Sequence, residues 1–516
     1  MKEYRRHIRE PIHRYVRLTT IENRIVDSPY FARLAQVSQM HSAHLVYPSA
    51  TYARKVHCLG AMHIASRAVS HILAQQHWPF VDEEHRPHAL LSMEHPPSRP
   101  WTRQKLKPLN LREALKVAGV SVENDFLAGV FVLQAMRLAA LLHDIGHAPL
   151  SHLYESASRD EAANARYNHE IMSGRIIRQE LTKPPPGGGE PLLDKQDAEF
   201  VASILDKSLQ SSKLEFLHDL ITGALDVDKL DYLLRDAHAT GTVEYGTVDL
   251  DRIIDTLVVH DGRLCYASTG LDAVIQALNA MFFMYNNVYL HDTVRGFDLA
   301  ALEGLQPLHA TLRAYQDGVP QLPDGKPARE FVDLDDATFL AMIERVAESE
   351  RAKGQPGPYD AAYAALEQLR RRRMTFRAVI DARLAVPMSA APAYKDIIQK
   401  LRADLEVYRK EAVEYAHLQD NDIRLDLDKN IRPIGVGLED ITEFLTGDFI
   451  FDTKTGDPVA FSAYQPHYKT LTRIVVPIRF YVRDPRVLPS ATEQTLRDKV
   501  TARIKKEQDR LIGQGN

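Results

Sequence analysis

The strongest constraint on the fold is an apolar stretch at residues 127–142, which only Gln134 and Arg137 interrupt. The stretch falls short of the ~20 residues that a membrane-spanning helix needs. A helix that is apolar nearly all round is covered by other elements on every side. Residues 54–72 repeat apolar side chains every three or four positions, which predicts one face of a second buried helix. We therefore expect a helical core built around these two segments.

Composition narrows the class of protein. The 516 residues include 64 basic and 69 acidic side chains, a formal net charge of −5, and 45% are hydrophobic. These values are typical of globular proteins and exclude disordered and fibrous classes. Cys58 and Cys265 are too few for a disulfide framework or a cysteine zinc site, which favours a reducing compartment. With no secretory signal in the N-terminal sequence, we expect a cytoplasmic protein without a membrane partner. The acidic balance argues against a nucleic-acid partner, although a local basic pocket is allowed.

Helical patterns continue through the first four hundred residues. They cover residues 20–39 (with a break at Pro29), 160–181, 194–209, 214–237, 271–291, 298–316, 336–351, 358–380 and 394–417. One hairpin is predicted at 257–266, because Asp261-Gly262 favours a tight primed turn.

The pattern changes after about residue 420. Strands are predicted at 423–427, 449–451, 459–461 and 473–482, followed by a helix at 492–511. The fold class we expect is mainly α, with a smaller C-terminal α+β appendage. The predicted divisions are a core at 1–300, a helical extension at 301–420 and the appendage at 421–516.

The segment LLHDIGHAPLSH, residues 141–152, carries the clearest chemical signal. The apolar helix ends there in His143-Asp144, where an imidazole and a carboxylate contribute little to packing. A buried Asp is costly unless a cation or hydrogen-bond donors compensate it. A divalent metal such as Mn, Fe, Co, Ni, Zn or Mg suits mixed nitrogen and oxygen ligands. The dipeptide alone is also compatible with a purely structural role, in which both side chains cap the end of the helix.

Two other segments offer further ligands. His57 lies on the apolar face of the 54–72 helix, where a lone histidine is more often a core residue than a ligand. The segment LDVDKLDYLLRD, residues 225–236, holds four aspartates beside Lys229 and Arg235. At ~100° per residue, Asp228 and Asp231 lie near one another. Some of these carboxylates are therefore expected to pair with the basic side chains.

Several sequence blocks follow one another in a fixed order. They are PIHRYVRL (11–18), IVDSPYFARLAQVSQM (25–40), VYPSATYARKVHCLG (46–60), LLHDIGHAPLSHLYE (141–155), NHE (168–170), DVDKLDYLLRD (226–236) and MYNNVYLH (284–291). In this order the chain resembles the HD-domain phosphohydrolases, specifically the dNTP triphosphohydrolase branch typified by sterile-alpha-motif HD proteins and bacterial dGTPases. The resemblance covers about the first 300 residues, with insertions at about 80–126 and 183–191.

The resemblance implies a site and a reaction, dNTP and water giving a deoxynucleoside and triphosphate. The metal ligands it implies are His57, His143, Asp144 and Asp228. It places His147 and His152 against the reacting phosphate, with His169 and Glu155 supporting them and His152 as the general acid. Substrate contacts are implied at Gln39, Arg54, Lys229, Tyr232, Asp236 and Tyr289. Mg²⁺ on the substrate phosphates, a nucleotide activator and a homo-oligomer complete the expectation.

Two departures and two alternatives qualify this expectation. Ala32 and Ala35 stand where guanine-activated relatives place polar side chains, so a guanine-specific activator site is in doubt. One alternative is a 5′-nucleotidase or phosphodiesterase that uses the same metal site. The other is a non-catalytic nucleotide-binding regulator, against which the intact set of metal ligands argues.

Overall fold

The computed structural model describes residues 6–76, 78, 109–160, 163, 165–185, 188–354, 356–387, 393–427, 449–461 and 473–513. Most of the predicted insertion at 80–126 lies outside these residues. Its described part contains a short helix and the start of the apolar helix. Of the predicted insertion at 183–191, residues 186 and 187 lie outside the description.

The fold is mainly α, as predicted. Its helices are α1 (Thr20–Val26), α2 (Pro29–Ala32), α3 (Arg54–Gln75), α4 (Leu111–Val117), α5 (Asp125–Leu142), α6 (His152–Ala157), α7 (His169–Arg175), α8 (Lys195–Leu205), α9 (Glu215–Thr222), α10 (Val227–Thr240), α11 (Leu250–Asp255), α12 (Leu271–Met284), α13 (Asp292–Leu305), α14 (His309–Ala314), α15 (Asp336–Ala352), α16 (Pro358–Arg370), α17 (Tyr394–Tyr415) and α18 (Ser490–Gly513). Single π-helical turns, Ile176–Glu180 and Tyr285–Tyr289, extend α7 and α12.

Helix α5 lies at the centre and packs along α3. Among the described helices it alone is long and apolar enough to span a membrane, but 67% of it is buried inside the protein, as in a core helix. The two polar residues of its apolar stretch share one partner, since Gln134 and Arg137 both donate to the buried Glu22 carboxylate at 2.7 Å. The interruptions of the apolar stretch are therefore satisfied internally, as a buried charge requires.

The sheets are small. The predicted hairpin forms from β3 (Leu257–His260) and β4 (Arg263–Ala267), and Asp261 and Gly262 adopt the left-handed φ angles of 52° and 88° that its turn needs. An N-terminal hairpin of β1 (Arg6–Glu10) and β2 (Arg14–Leu18) has no counterpart among the predictions.

The C-terminal residues divide between two sheets. Strands β7 (Ile450–Phe451) and β8 (Pro458–Val459) extend the β3–β4 sheet, while β5 (Arg377–Pro387), β9 (Arg473–Val482) and β6 (Ile423–Asp426) form an antiparallel sheet in the order β5-β9-β6. Helices α17 and α18 pack on this second sheet around a separate hydrophobic cluster. That cluster begins at Ile380, so it includes elements from before residue 421. The divisions at 300 and 420 stay predictions.

Four helix predictions need correction. The helix predicted at 214–237 is two helices, α9 and α10, which residues 223–226 separate. The helix predicted at 358–380 ends at Arg370, and Arg377–Pro387 is a strand because it pairs with β9 along its whole length. The helix predicted at 20–39 breaks at Pro29 as predicted, but its second part ends at Ala32, and a 3₁₀ turn follows from Arg33 to Gln36. The described residues between 160 and 168 are not helical, and α7 starts at His169, where Asn168 caps it.

Candidate metal centre and active site

Three helices bring the expected metal ligands to one point. His57 lies in the first turns of α3, His143 follows the last residue of α5, and Asp228 lies in the first turn of α10. The Nε2 atoms of His57 and His143 are 3.3 Å apart, and Asp228 Oδ1 is 2.9 Å from the first and 3.6 Å from the second. These three side chains are close enough together to hold one metal ion.

Hydrogen bonds orient both imidazoles toward that point. His143 Nδ1 lies 2.8 Å from the Ala140 carbonyl oxygen, and His57 Nδ1 lies 2.8 Å from Asp231 Oδ2. Both partners are acceptors, so each Nδ1 carries a proton and each Nε2 is the nitrogen that faces the metal position. Such partners fix the tautomer of metal-binding histidines. The donor set of two imidazoles with carboxylates thus fits a divalent ion.

Asp144 connects the metal-facing side chains to a second cluster. Its Oδ1 is 3.4 Å from His143 Nε2 and 3.3 Å from His147 Nε2, and its Oδ2 accepts a hydrogen bond from Arg54. Burial would raise the pKa of the Asp144 carboxyl, but the charges of His143 and Arg54 hold it well below its usual range. Asp144 is therefore anionic at neutral pH.

The expected metal ligands shift one another's pKa values. Burial would lower the pKa of His57, but the hydrogen bonds with Asp228 and Asp231 raise it to about 10. Burial would raise the pKa of Asp228, whereas its hydrogen bonds with His143 and His57 lower it far below the ordinary value. Because a metal binds only unprotonated imidazole nitrogen, metal uptake here must release a proton.

The second cluster contains His147, His152, Glu155 and His169, whose ligand atoms also lie close together. The rings of His147 and His169 stack with centroids 3.9 Å apart, and Glu155 Oε1 accepts from both His169 Nδ1, at 2.5 Å, and the His169 backbone N–H, at 2.9 Å. The His152 ring is 69% exposed, with Nδ1 3.4 Å from Glu155 Oε2. His152 is therefore the member of the cluster most open to a ligand.

Neighbouring charges give the stacked imidazoles different protonation states. Burial lowers the pKa of His169, but the charge and the hydrogen bond of Glu155, with the charges of Asp144 and Glu170, together raise it to about 9. Burial, with the charges of Arg54 and His169, holds the pKa of His147 well below its ordinary value. At neutral pH His169 is a cation and His147 is neutral.

Two residues that the sequence analysis missed hold the loop of the motif. Arg33 donates from Nη2 to the carbonyls of Ile145 at 2.9 Å and His147 at 2.6 Å. Asp336 accepts the backbone N–H of Leu150 at 2.9 Å, where φ is 62°. A left-handed φ is costly for a leucine, so the surrounding bonds must maintain it. Arg33 and Asp336 are far from the motif in sequence, and no spacing rule predicts their contacts.

Tyrosines surround Asp236, an expected sugar contact. Tyr52 and Tyr289 donate their hydroxyls to its two carboxylate oxygens, the second at 2.5 Å. Burial raises the pKa of Asp236 to about 6. The rings of Tyr232 and Tyr289 meet edge to face, with centroids 6.2 Å apart. The structure thus brings three of the expected substrate residues together.

Several polar atoms in this region are buried without a hydrogen-bond partner among the described residues. Among them are Gln39 Oε1, Arg54 Nη2 and His147 Nδ1. Buried polar groups normally have partners, and exceptions call for an explanation such as a ligand. All three belong to residues expected to contact substrate or phosphate.

Two basic side chains, Lys229 and Arg295, form ion pairs with aspartates. The Lys229 ammonium donates to Asp226 and, at 2.9 Å, to the Gly223 carbonyl, so its role toward phosphate stays a prediction. Arg295 pairs with Asp426 of β6 at 2.9 Å, and this bond ties α13 to the C-terminal sheet.

Comparisons with known proteins agree with this geometry. The HD domain family matches residues 130–236, which include His143, Asp144 and Asp228. An uncharacterised protein of Methanocaldococcus jannaschii is 29% identical over 292 residues, 56% of this chain and 46% of that protein. A Dictyostelium discoideum protein, named as a deoxynucleoside triphosphate triphosphohydrolase SAMHD1 homolog, is 24% identical over 352 residues, 67% of this chain and 56% of that one. The chain spans about half the length of these curated relatives.

A solved structure shares the fold. A phosphohydrolase from Bacteroides thetaiotaomicron has a TM-score of 0.58 and 20% identity, covering 93% of this chain and 100% of that one. The match to the HD domain family thus falls on the part of the chain that carries the site. The resemblance to the HD-domain phosphohydrolases drawn from the sequence is thereby confirmed.

Proposed function

We propose that the protein is a metal-dependent dNTP triphosphohydrolase, which converts a dNTP and water to a deoxynucleoside and triphosphate. The observation that supports this most strongly is the position of Asp144. One of its oxygens faces both His143 and His147, and the other accepts from Arg54. A single carboxylate therefore joins the metal-facing ligands, the histidine cluster and a phosphate-binding cation.

Each group of side chains has a separate role in the proposed hydrolysis of the phosphate ester. His57, His143, Asp144 and Asp228 would hold a divalent ion, which would supply a Lewis acid for a phosphoryl oxygen and lower the pKa of water. Arg54, whose Nη2 has no partner among the described residues, is placed to bind a phosphate oxygen. The cationic His169, held by Glu155, and the neutral His147 stack beside it. His152, the exposed imidazole, is our assignment for the proton donor to the leaving 5′-oxygen.

The sugar is the second part of the proposal. Gln39 and Asp236 are assigned to the 3′-hydroxyl, and the half-buried Tyr232 is assigned to the wall that closes the space where a ribose 2′-hydroxyl would lie. Tyr289 lies beside the base in this assignment. A closed wall rejects the extra oxygen on steric grounds, which favours dNTPs over NTPs. The name of the Dictyostelium relative supports the same substrate class.

The test is product analysis. Purified protein incubated with each dNTP and Mn²⁺ or Mg²⁺ should release triphosphate and deoxynucleoside in equal amounts. Asp228→Ala should abolish turnover, while Asp251→Asn, an exposed carboxylate on α11, should not. Turnover of deoxynucleoside monophosphates alone would instead support a 5′-nucleotidase. Binding of dNTPs without turnover would support a regulator.

The remaining expectations stay predictions. A homo-oligomer and a nucleotide activator follow from the resemblance, and the cytoplasmic location follows from composition. Size-exclusion chromatography with light scattering, with and without added dNTPs, tests the first two together.

A further inference from the structure

The turn of the N-terminal hairpin reaches the layer behind the metal ligands. Between β1 and β2, Glu10 accepts the backbone N–H groups of Ile12 and His13, and it also pairs with Arg235 of α10 at 2.8 Å. This arrangement places His13 Nε2 2.6 Å from Asp231 Oδ1, and the His13 side chain is only 3% exposed.

The Asp231 carboxylate accepts four hydrogen bonds from three side chains. Besides His13, it accepts His57 Nδ1–H at 2.8 Å and two bonds from Arg235 at 2.8 and 2.9 Å. Its side chain has no solvent exposure. A buried carboxylate with two donors on each oxygen, one of each pair from the Arg235 guanidinium, holds a fixed orientation.

The facing helix leaves room for this carboxylate. Gly60 lies on α3, one turn from His57, and a Cβ built there would be 1.9 Å from Asp231 Oδ1 and 2.4 Å from Arg235 Nη2. A glycine inside a helix is destabilising relative to alanine. The close approach of α10 to α3 accounts for its presence.

We infer that Asp231, itself fixed by His13 of the hairpin turn, is a positioning residue for the metal ligand His57. Asp231 accepts a hydrogen bond from Nδ1–H and so leaves Nε2 as the nitrogen that faces Asp228 and His143. It also prevents the imidazole from rotating. The inference rests on the proposed metal centre, and it adds a requirement that the N-terminal hairpin be docked for that centre to bind tightly.

The alternative is a purely structural ion pair between Asp231 and Arg235 that only happens to touch His57. The two accounts differ in metal affinity, because outer partners of a metal-binding histidine change affinity by about 10- to 100-fold. Glu22→Gln is a matched control, since Glu22 is equally buried and pairs with the buried Arg137 at 2.7 Å. No described contact joins Glu22 to a metal-facing side chain.

The experiment is calorimetric titration of metal-free full-length protein with Mn²⁺ at one pH, with thermal unfolding of each variant. Asp231→Asn should weaken binding about 10- to 100-fold, while Glu22→Gln keeps wild-type affinity despite lowered stability. The visible absorption bands of bound Co²⁺ should change in Asp231→Asn alone.

His13 supplies a second, milder test if Asp231→Asn does not fold. His13→Ala should weaken Mn²⁺ binding, and His13→Gln should restore it, because a glutamine amide donates from nearly the place of Nε2. Equal affinity of the wild type, Asp231→Asn and His13→Ala would overturn the inference, as would an equal loss in Glu22→Gln. A wild type that binds no divalent ion would instead overturn the proposed function.

Discussion

Gly146 is the residue at which a single methyl group should separate metal binding from catalysis. A Cβ built there would lie 2.3 Å from the His169 carbonyl oxygen and 2.4 Å from the Ser173 nitrogen, whereas 3.4 Å is an ordinary contact. Both neighbours are backbone atoms of α7 and cannot rotate away. Gly146→Ala should therefore displace α7 from the motif loop by about 1 Å.

That displacement has a defined consequence. Helix α7 carries His169, which Glu155 and the stacked His147 hold in place, but it carries none of the expected metal ligands. A misplacement of 1 Å can cost about 100-fold in rate, and overpacking costs about 1–3 kcal/mol of stability. We expect kcat on dNTPs to fall about 100-fold with Mn²⁺ affinity unchanged.

The assay is steady-state kinetics by triphosphate release, with calorimetric titration of Mn²⁺ on the same preparations. Gly318→Ala is the control, since a Cβ at that position meets no atom within 4 Å. Wild-type kcat in Gly146→Ala, or an equal loss in Gly318→Ala, would refute the reasoning.

Three further predictions follow from the same contacts. Because the pKa of His57 is about 10 and a metal displaces its proton, Mn²⁺ affinity should weaken about tenfold for each pH unit lowered; an affinity independent of pH between 6 and 8 would contradict this. The folded pKa of Asp236, about 6, is raised above its ordinary 3.8, so its stabilising effect is full below pH 3.8 and is lost as pH rises through 6. Asp236→Asn should then gain up to about 3 kcal/mol relative to wild type between pH 4 and 8, measured by urea unfolding. Asp336→Ala removes the acceptor of two backbone N–H groups, at Ser38 and Leu150, and should cost about 2–6 kcal/mol by urea unfolding together with a lower kcat; unchanged values of both would show that the loop holds itself.

The sequence predicted the helices best where their patterns are self-contained. The apolar stretch of α5, the three- and four-residue spacing of apolar side chains along α3 and the Asp-Gly turn of the β3–β4 hairpin are local signals. Each element forms where it was expected. The strand Arg377–Pro387 was missed because its conformation depends on a partner about a hundred residues away.

In the site, too, the local motifs were predictable from the sequence, whereas contacts between distant segments were not. The motif residues His143, Asp144 and Asp228 stand out by their chemistry, and the structure brings them together with His57. The sequence left open which carboxylates of the 225–236 segment pair with basic side chains; the structure shows that Asp231 pairs with Arg235 and Asp226 with Lys229. Neither spacing nor composition indicates that Asp231 also orients His57.

The most direct test of the central claim is anomalous diffraction from crystals soaked in Mn²⁺. The account predicts an ion bound by His57 Nε2, His143 Nε2 and the carboxylates of Asp144 and Asp228, at about 2.0–2.3 Å from each donor atom. An ion held only by His147, His152 and His169, or no ion at all at millimolar Mn²⁺, would contradict it.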